Sequence, residues 1–586
     1  MNAGENTRSE KPRTLPTGSV IERLEKSADA PTGVRFVGQS VMSATGSNDI
    51  SWREIHDDAR AVAATLQARG IVPGDHVALL GPTSRALMTA IRGCWLAGAA
   101  SMVLPLPMRM ASLDAFVQGT RARIRHGEAK LVLIDDLLAD FYSAAPGDPP
   151  ISSLTELVSG PKTVSGDRLE LPANDPERLV ILQYTSGSTS EPKGVMIPDR
   201  VLTANVDASC AAAQLDADEV MVSWLPLYHD MGLVGFLSIP MLNGVQLIQA
   251  APQDFMGHPG HWMEWVSAWK GTATAGPNFA WVLATRALKR MKDLDLSSLT
   301  LALSGAEPVD PAAVEAFVAA AEPFGFSAGS IFPAFGMAEV AIGGAFPPRH
   351  RGLVCDTVDR VVLERERIAK PIDLDVGPGD AAVHGLARDD ELAIRRLPLL
   401  GQAVPGLDMK IVDPETREPL PERHVGELFL RGTSVTPGYY KRPDATEAMF
   451  HEGWLCTGDL AYMLNGELVI CGRIKDVIIV GGRNVFPEDI ERAVGQIDGV
   501  RAGNVISFGV EGYKGKETVV VVAEVKTDDL DAVSHAIHTR TLEVSGLPPR
   551  DVMLVRPGTL PKTSSGKLQR SKCRELYLAG ELELLG

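Results

Sequence analysis

From about Ser51 onward, amphipathic stretches of helical length alternate with short apolar runs, and this alternation limits the fold more than any other feature of the chain. WREIHDDARAVAATLQARG (52–70) carries apolar residues at helical spacing and ends on Gly70, and DHVALLG (75–81) suits a buried strand. The pair repeats as a helix in SRALMTAIRGCWLAG (84–98) and a strand in AASMVLPLP (99–107); KLVLIDD (130–136) follows after one more helix. Strands separated by helices of this length predict a mainly parallel sheet with helices on both faces. The pattern lapses over a Pro/Gly/Ser-rich stretch, roughly 144–175, which reads as a connecting region. It resumes at RLVILQY (178–184) and continues through VMVSWLPLY (220–228), VQLIQA (245–250), TATAGP (272–277), LTLALSGAE (299–307) and GSIFPAFG (329–336).

From about Leu400 the texture changes. MKIVDP, GELFLRG, LAYMLNGELVICG and KDVIIVGG are short strands separated by turns, as in a small barrel or distorted sheet. The last stretch mixes a strand (VVVVAEVK) with helices (DIERAVGQ, DAVSHAIHTRTLEVSG) and is long enough to be its own domain. The expected fold class is therefore α/β: a large N-terminal region of two α/β subdomains plus a small β-barrel-like subdomain, with a separate α+β C-terminal domain. The boundaries expected are a disordered tail over 1–15, an N-terminal domain over 16–474 and a C-terminal domain over 475–586.

Charge and cysteine usage narrow the function classes. Lys and Arg number 57 against 74 Asp and Glu, a net −17, which argues against a nucleic-acid binder dependent on phosphate contacts. The six cysteines form no C-x-x-C pair and are too sparse for a disulfide scaffold, so reduced thiols in a cytoplasmic protein are expected. The N-terminus is polar and lacks the apolar core of a secretory signal. The most apolar long stretch, 90–108, contains Arg92, glycines and two prolines; a helix followed by a buried strand fits it better than a transmembrane segment.

The strongest local signal is YTSGSTSEPKG (184–194), directly after the apolar run RLVILQ. Small hydroxyl residues and glycine let the backbone curl so that N–H and O–H donors converge on an anion, and Lys193 adds a positive charge at the far end. A surface loop uses the same residue types. The string is not a Walker A loop, since G-x-x-x-x-G-K-[ST] does not occur there.

That string resembles the phosphate-binding loop of the acyl-adenylate-forming superfamily, and six further motifs of the superfamily follow in the same order: LPLYHDMG (225–232), SGAEP (304–308), FGMAE (335–339), WLCTGD (454–459), GRIKD (472–476) and PKTSSGK (561–567). The resemblance covers roughly residues 50–575. It implies ATP and Mg²⁺ as cofactors. It also implies that Thr185, Ser186, Gly187, Ser188, Thr189 and Lys193 hold the β- and γ-phosphates. Ser304, Gly305, Ala306 and Glu307, with Phe335, Gly336, Met337 and Ala338, would line the adenine. Glu339 would be the Mg²⁺ ligand, Asp459 would accept from the ribose hydroxyls, and Arg473 would donate to the ribose or a phosphate. Lys567 would place an ammonium between carboxylate and α-phosphate, where charge builds in the transition state. Lys475 would be the hinge on which a mobile C-terminal domain carries Lys567 in and out. His229 would border the acyl pocket. Catalysis is thus expected from Lys567, Glu339, Thr185 and His229. Many family members have Tyr where this chain has Phe335; stacking on adenine survives the change, and any contact of a phenolic hydroxyl is lost.

Within the superfamily, SWLPLYHDMGL (223–233), GPNFA (276–280) and SGAEP look most like the fatty acyl-AMP ligases. That branch carries an insertion after the FGMAE motif, here expected within about 340–400, where CDTVDRVVLERERIAKP (355–371) resembles it; DVGPGDAAVHGLARDDE (375–391) matches it poorly. The resemblance implies an insertion that restricts domain movement, so that acyl-AMP made from a fatty acid passes to the phosphopantetheine thiol of an acyl carrier protein or a polyketide/peptide synthase carrier domain. Trp224, His229, Met231, Asn278 and Phe279 would line the acyl pocket, although apolar residues of this kind also serve as ordinary core. An acyl-CoA synthetase and a catalytically silent adenylate-binding module are the alternatives.

Overall fold

The computed structural model describes residues 14–38, 49–106, 113–161, 164–184, 192–372, 393–480, 482–512, 517–563 and 566–585. The expected tail lies almost wholly outside them. The chain divides into two compact units, each discontinuous in sequence: residues 1–353, 402–408 and 431–453 in the first, and residues 354–401, 409–430 and 454–586 in the second.

Among the described residues the first unit contains two large sheets and a small antiparallel one of Phe335–Gly336, Gly343–Phe346 and Gln402–Ala403. One has six strands in the spatial order Ile151–Ser153, Leu131–Ile134, His76–Leu80, Ala100–Val103, Leu179–Tyr184, Gly194–Pro198; its pairs are parallel except the last, which is antiparallel. The other has seven, in the order Ile331–Pro333, Leu301–Ser304, Ala273–Gly276, Val220–Ser223, Gln246–Gln249, Gly33–Phe36, Asp49–Ser51, parallel but for the last pair. The continuous apolar runs follow from this arrangement: His76–Leu80, Ala100–Val103 and Leu131–Ile134 are buried along their whole length, as strands covered on both faces must be. Helix Trp52–Ala68 starts at a capping box in which Ser51 and Glu54 satisfy each other's backbone N–H groups, and Gly70 ends it at φ +88°.

Two parts of this unit differ from the sequence reading. The stretch read as a connecting region carries strand Ile151–Ser153, which forms an edge of the first sheet, and helix Leu154–Ser159 after it. Three residues are too few to show an alternating pattern, and Pro and Gly around them dominate the composition. Strand Gly33–Phe36, not anticipated, pairs in parallel with Gln246–Gln249.

In the second unit, Cys355–Asp359 pairs antiparallel with Ile394–Pro398, and helix Arg360–Glu366 follows the first of them. Antiparallel strands Gly426–Gly432, Trp454–Leu464 and Glu467–Arg473 make the β-rich part. The α+β C-terminal part is a sheet of Val500–Glu511, Glu517–Val525 and Asp551–Val555 with helices Pro487–Val494, Leu530–Ser545 and Arg570–Ala579. Its central strand shows why VVVVAEV has no polar face. Val519, Val521, Ala523 and Val525 pack with Ile490, Val494, Val533 and Ile537, while Val520 and Val522 pack with Phe508, Leu560 and Cys573. All six cysteines are free thiols. Among the described residues no helix is long and apolar enough to cross a membrane.

Candidate nucleotide and acyl site

Thr185, Ser186, Gly187, Ser188 and Thr189 lie outside the described residues, but both ends of their loop are visible. Tyr184 stands opposite Gly194 in the antiparallel ladder of Leu179–Tyr184 and Gly194–Pro198, so the loop is a hairpin connection whose feet are tied by backbone hydrogen bonds. The Tyr184 hydroxyl donates to the Arg123 carbonyl at 3.1 Å and lies 3.0 Å from His126 Nδ1; burial pushes its ionisation upward, keeping it neutral.

Segment 436–440 runs beside the outgoing strand. Met196 N donates to Gly438 O at 3.1 Å, Tyr440 N to Gly194 O at 2.8 Å and Thr436 Oγ1 to Met196 O at 2.6 Å. This places the Tyr439 ring with its centroid 5.4 Å from Lys193 Nζ, and its hydroxyl 2.7 Å from Glu339 Oε1, to which it donates. Thr436 N donates to the Glu339 carbonyl at 2.8 Å. Glu339 itself sits in a short 3₁₀ turn, Ala338–Val340, that closes on Ala341 at φ +67° and ψ −60°, a conformation non-glycine residues rarely adopt. Phe335 and Gly336 pair with Gly343–Phe346; a Cβ on Gly336 would lie 2.0 Å from Ile342 O, so that position requires glycine. Hard carboxylate oxygens suit Mg²⁺, and an ion that arrives on a polyphosphate needs only one or two of them; Glu339 fits that demand. Tyr439, absent from the sequence reading, is what brings Lys193 and Glu339 to a common neighbour. Its local signal was the Pro437-Gly438 turn followed by two tyrosines.

His229 follows the Val220–Ser223 strand, which ends at the buried Trp224. Its Nδ1 lies 2.5 Å from Asp230 Oδ1, and Met231 N donates to the same oxygen at 2.8 Å. Gln183 Nε2 donates to Tyr228 O at 2.9 Å, fixing this turn against the strand that enters the phosphate loop. Met231–Ser238 is a π-helix, a rare form that occurs frequently at functional sites. A Cβ on Gly232 would lie 2.2 Å from Pro226 O. Trp224 stacks on Phe255 at 3.9 Å and meets Phe279 edge-on at 6.3 Å, and Trp262 continues the cluster toward Trp281.

Asn278, expected in the acyl pocket, has its amide engaged elsewhere: Nδ2 donates to Pro308 O at 2.7 Å and Oδ1 accepts from Asp310 N at 3.0 Å. Glu307 Oε1 in turn accepts from Asn278 N at 2.9 Å. These bonds hold the turn after Ser304, in which Gly305 leads to Ala306 at φ +71°. The Ser304 hydroxyl is buried with no hydrogen-bond partner among the described residues.

In the second unit, Asp459 and Arg473 are opposite residues on neighbouring strands, and Arg473 Nε donates to Asp459 Oδ1 at 2.9 Å. Burial raises the Asp459 carboxyl above the usual range, and Arg473 opposes the rise. Lys475, two residues on, has its ammonium pushed down by burial, with Asp476 opposing. Lys567 ends a tight turn: its N donates to Thr563 Oγ1 at 3.1 Å, and Thr563 N donates to its carbonyl at 2.7 Å. Gly566, at φ +89°, makes that turn possible.

Residues 24–440 match the AMP-binding enzyme family, and residues 475–585 match the Disco-interacting protein 2-like AMP domain. Rv1013 of Mycobacterium tuberculosis is 38% identical over 532 residues, covering 89% of this chain and 93% of its own. The medium-chain-fatty-acid–[acyl-carrier-protein] ligase JamA of Moorena producens is 32% identical over 566 residues, covering 92% and 91%. A solved structure from work on the fatty acyl-adenylate ligases of E. coli and L. pneumophila superposes with a TM-score of 0.86 at 28% identity, covering 97% of this chain and 99% of its own.

Proposed function

This chain belongs to the AMP-binding enzyme family and is an adenylate-forming ligase; on that premise we propose that it joins a fatty acid carboxylate to the α-phosphate of ATP and passes the acyl group to the phosphopantetheine thiol of an acyl carrier protein. In the first step a carboxylate oxygen attacks the α-phosphorus, the bond to the bridging oxygen breaks, and pyrophosphate leaves. The carboxylate is already nucleophilic, so the protein's work is to bring two anions together and to stabilise the charge that gathers on the phosphate. Lys567 does this at the reacting oxygens, Lys193 and the phosphate loop hold the polyphosphate, and Asp459 with Arg473 holds the ribose. Mg²⁺, when bound, neutralises charge on the leaving polyphosphate, and Glu339 would hold it. In the second step the thiol sulfur attacks the acyl carbon, AMP leaves, and the thiol proton goes to solvent. Lys475 is the hinge between the two steps.

The aromatic cluster of Trp224, Phe255 and Phe279 supports an apolar acyl group, and similarity to JamA supports a carrier acceptor. The observation that carries the choice of acceptor lies in the segment expected as the branch insertion. Glu364, on helix Arg360–Glu366, accepts from Arg483 Nε at 3.1 Å, and its carbonyl accepts from Asn484 Nδ2 at 3.0 Å. Arg360 donates to Val544 O, and Arg395 Nε pairs with Asp489 Oδ2 at 3.1 Å. Residues before the hinge are thereby tied to residues after it by buried charges, which opposes the rotation a CoA site would need.

The test incubates the full chain with ATP, Mg²⁺ and a ladder of fatty acids, with CoA, with a phosphopantetheinylated carrier protein, or with neither, and follows products by mass spectrometry. Acyl-AMP that accumulates with CoA and is consumed by the carrier supports the reading. Prompt acyl-CoA removes the carrier assignment, and no acyl-AMP from any fatty acid removes the substrate class.

A further inference from the structure

We propose that Tyr439 is a positioning residue for the metal–nucleotide complex, its hydroxyl orienting the Glu339 carboxylate while its ring carries Lys193; this rests on the reading of Glu339 as the Mg²⁺ ligand. Two independent contacts of one side chain support it. The hydroxyl donates to Glu339 Oε1 at 2.7 Å, and the ring centroid lies 5.4 Å from Lys193 Nζ, at the end of the phosphate loop. A hydrogen bond to one carboxylate oxygen restricts rotation about the side chain's terminal bond and so favours one direction for the other oxygen. Outer partners of metal ligands commonly set metal affinity by about 10–100-fold.

Tyr439 is itself held. Its N donates to Thr446 Oγ1 at 3.0 Å, and it forms an isolated antiparallel bridge with Val195, two residues after Lys193. Tyr439 is thus held against Val195 by the backbone while its side chain touches both Lys193 and Glu339, so a displacement of the ring disturbs the cation and the carboxylate together. The ring face is electron-rich and favours an ammonium near it.

The test measures ATP binding to the full chain by calorimetry without fatty acid, across a Mg²⁺ titration, for wild type, Tyr439→Phe and Tyr439→Leu. Tyr439→Phe keeps the ring and loses the hydroxyl. Its Mg²⁺ half-saturation is expected to rise about tenfold, with Mg²⁺-free ATP affinity within twofold of wild type and kcat recovered at saturating Mg²⁺. Tyr439→Leu is expected to weaken Mg²⁺-free ATP binding as well, because the support for Lys193 is gone. An unchanged Mg²⁺ half-saturation in Tyr439→Phe, in a chain whose wild type responds to Mg²⁺, overturns the proposal and leaves the ligase reading standing. A wild type in which Mg²⁺ has no effect on ATP binding, and Glu339→Gln none either, overturns both the metal role of Glu339 and the proposal.

Discussion

Glu364 and Arg483 meet where almost no water reaches: Arg483 Nε donates to Glu364 Oε2 at 3.1 Å, and Glu364 is 1% exposed. Burial raises the Glu364 carboxyl, and Arg483, with Arg360 beside it, opposes the rise. We expect Glu364→Gln to destabilise the chain by about 3 kcal/mol in urea unfolding, since it leaves Arg483 with no counter-charge. Glu364→Gln combined with Arg483→Gln should cost less than the sum of the two; additive losses would show that the pair is not coupled. Acyl-CoA formation that appears in Glu364→Gln alone would tie this pair to acceptor choice.

Lys567 lies at a half-buried turn held by backbone and Thr563 contacts. Lys567→Ala should therefore keep the unfolding midpoint and lose pyrophosphate release by about two to three orders of magnitude, the scale of removing one charge-stabilising donor. Unchanged pyrophosphate release in this variant would remove Lys567 from the reaction.

Lys475→Pro tests the hinge by a different half-reaction. Proline fixes φ and removes the rotation the swing requires. Acyl-AMP formation is expected to persist and acyl transfer to the carrier to fall at least tenfold; two normal half-reactions would sink the hinge assignment.

The pH dependence follows from the sign of the Asp459 shift. Its carboxyl lies above the ordinary range, so the ionised form, which on the proposed reading accepts the ribose hydroxyls, is lost as pH falls through that raised value. Arg473 pulls the value down. Arg473→Ala should move the acid limb of kcat/KM for ATP to higher pH, besides any uniform loss of affinity. An acid limb that stays in place would mean Asp459 does not control it.

Gly232 backs onto the Pro226 carbonyl with no room for a methyl group. We expect Gly232→Ala to displace the His229 turn, costing about 1–3 kcal/mol of stability and raising KM for the fatty acid more than for ATP. Equal KM values for the fatty acid in variant and wild type would show that this turn does not shape the acyl site.

Local strand and helix patterns were legible in the sequence, and long-range pairing was not. The strands that were read, such as His76–Leu80 and Glu517–Val525, announce themselves because burial on both faces demands an unbroken apolar run. Gly33–Phe36 has four residues and finds its partner 213 positions later, so no window of sequence contains both halves. The same limit applied at the site. Glu339 and Asp459 stand in short motifs that a local reading can find, whereas the contact of Tyr439 with Glu339 joins residues 100 positions apart. Asn278 shows the converse: a residue placed by its motif beside the acyl chain has an amide that serves the backbone at Pro308 and Asp310.

The first unit is completed by a segment that the chain reaches only after building part of the second. A nascent chain that has just exposed Glu339 must wait another 100 residues for the hydroxyl that meets it, roughly 5–20 s at ordinary rates of synthesis. During that interval the strand Gly194–Pro198 also lacks the segment that runs along it. Emergence from the ribosome thus fixes a timetable: the surroundings of Glu339 and of the Gly194–Pro198 strand are completed late, after most of the first unit has been made. A fragment ending at residue 353 would stay at that unfinished stage.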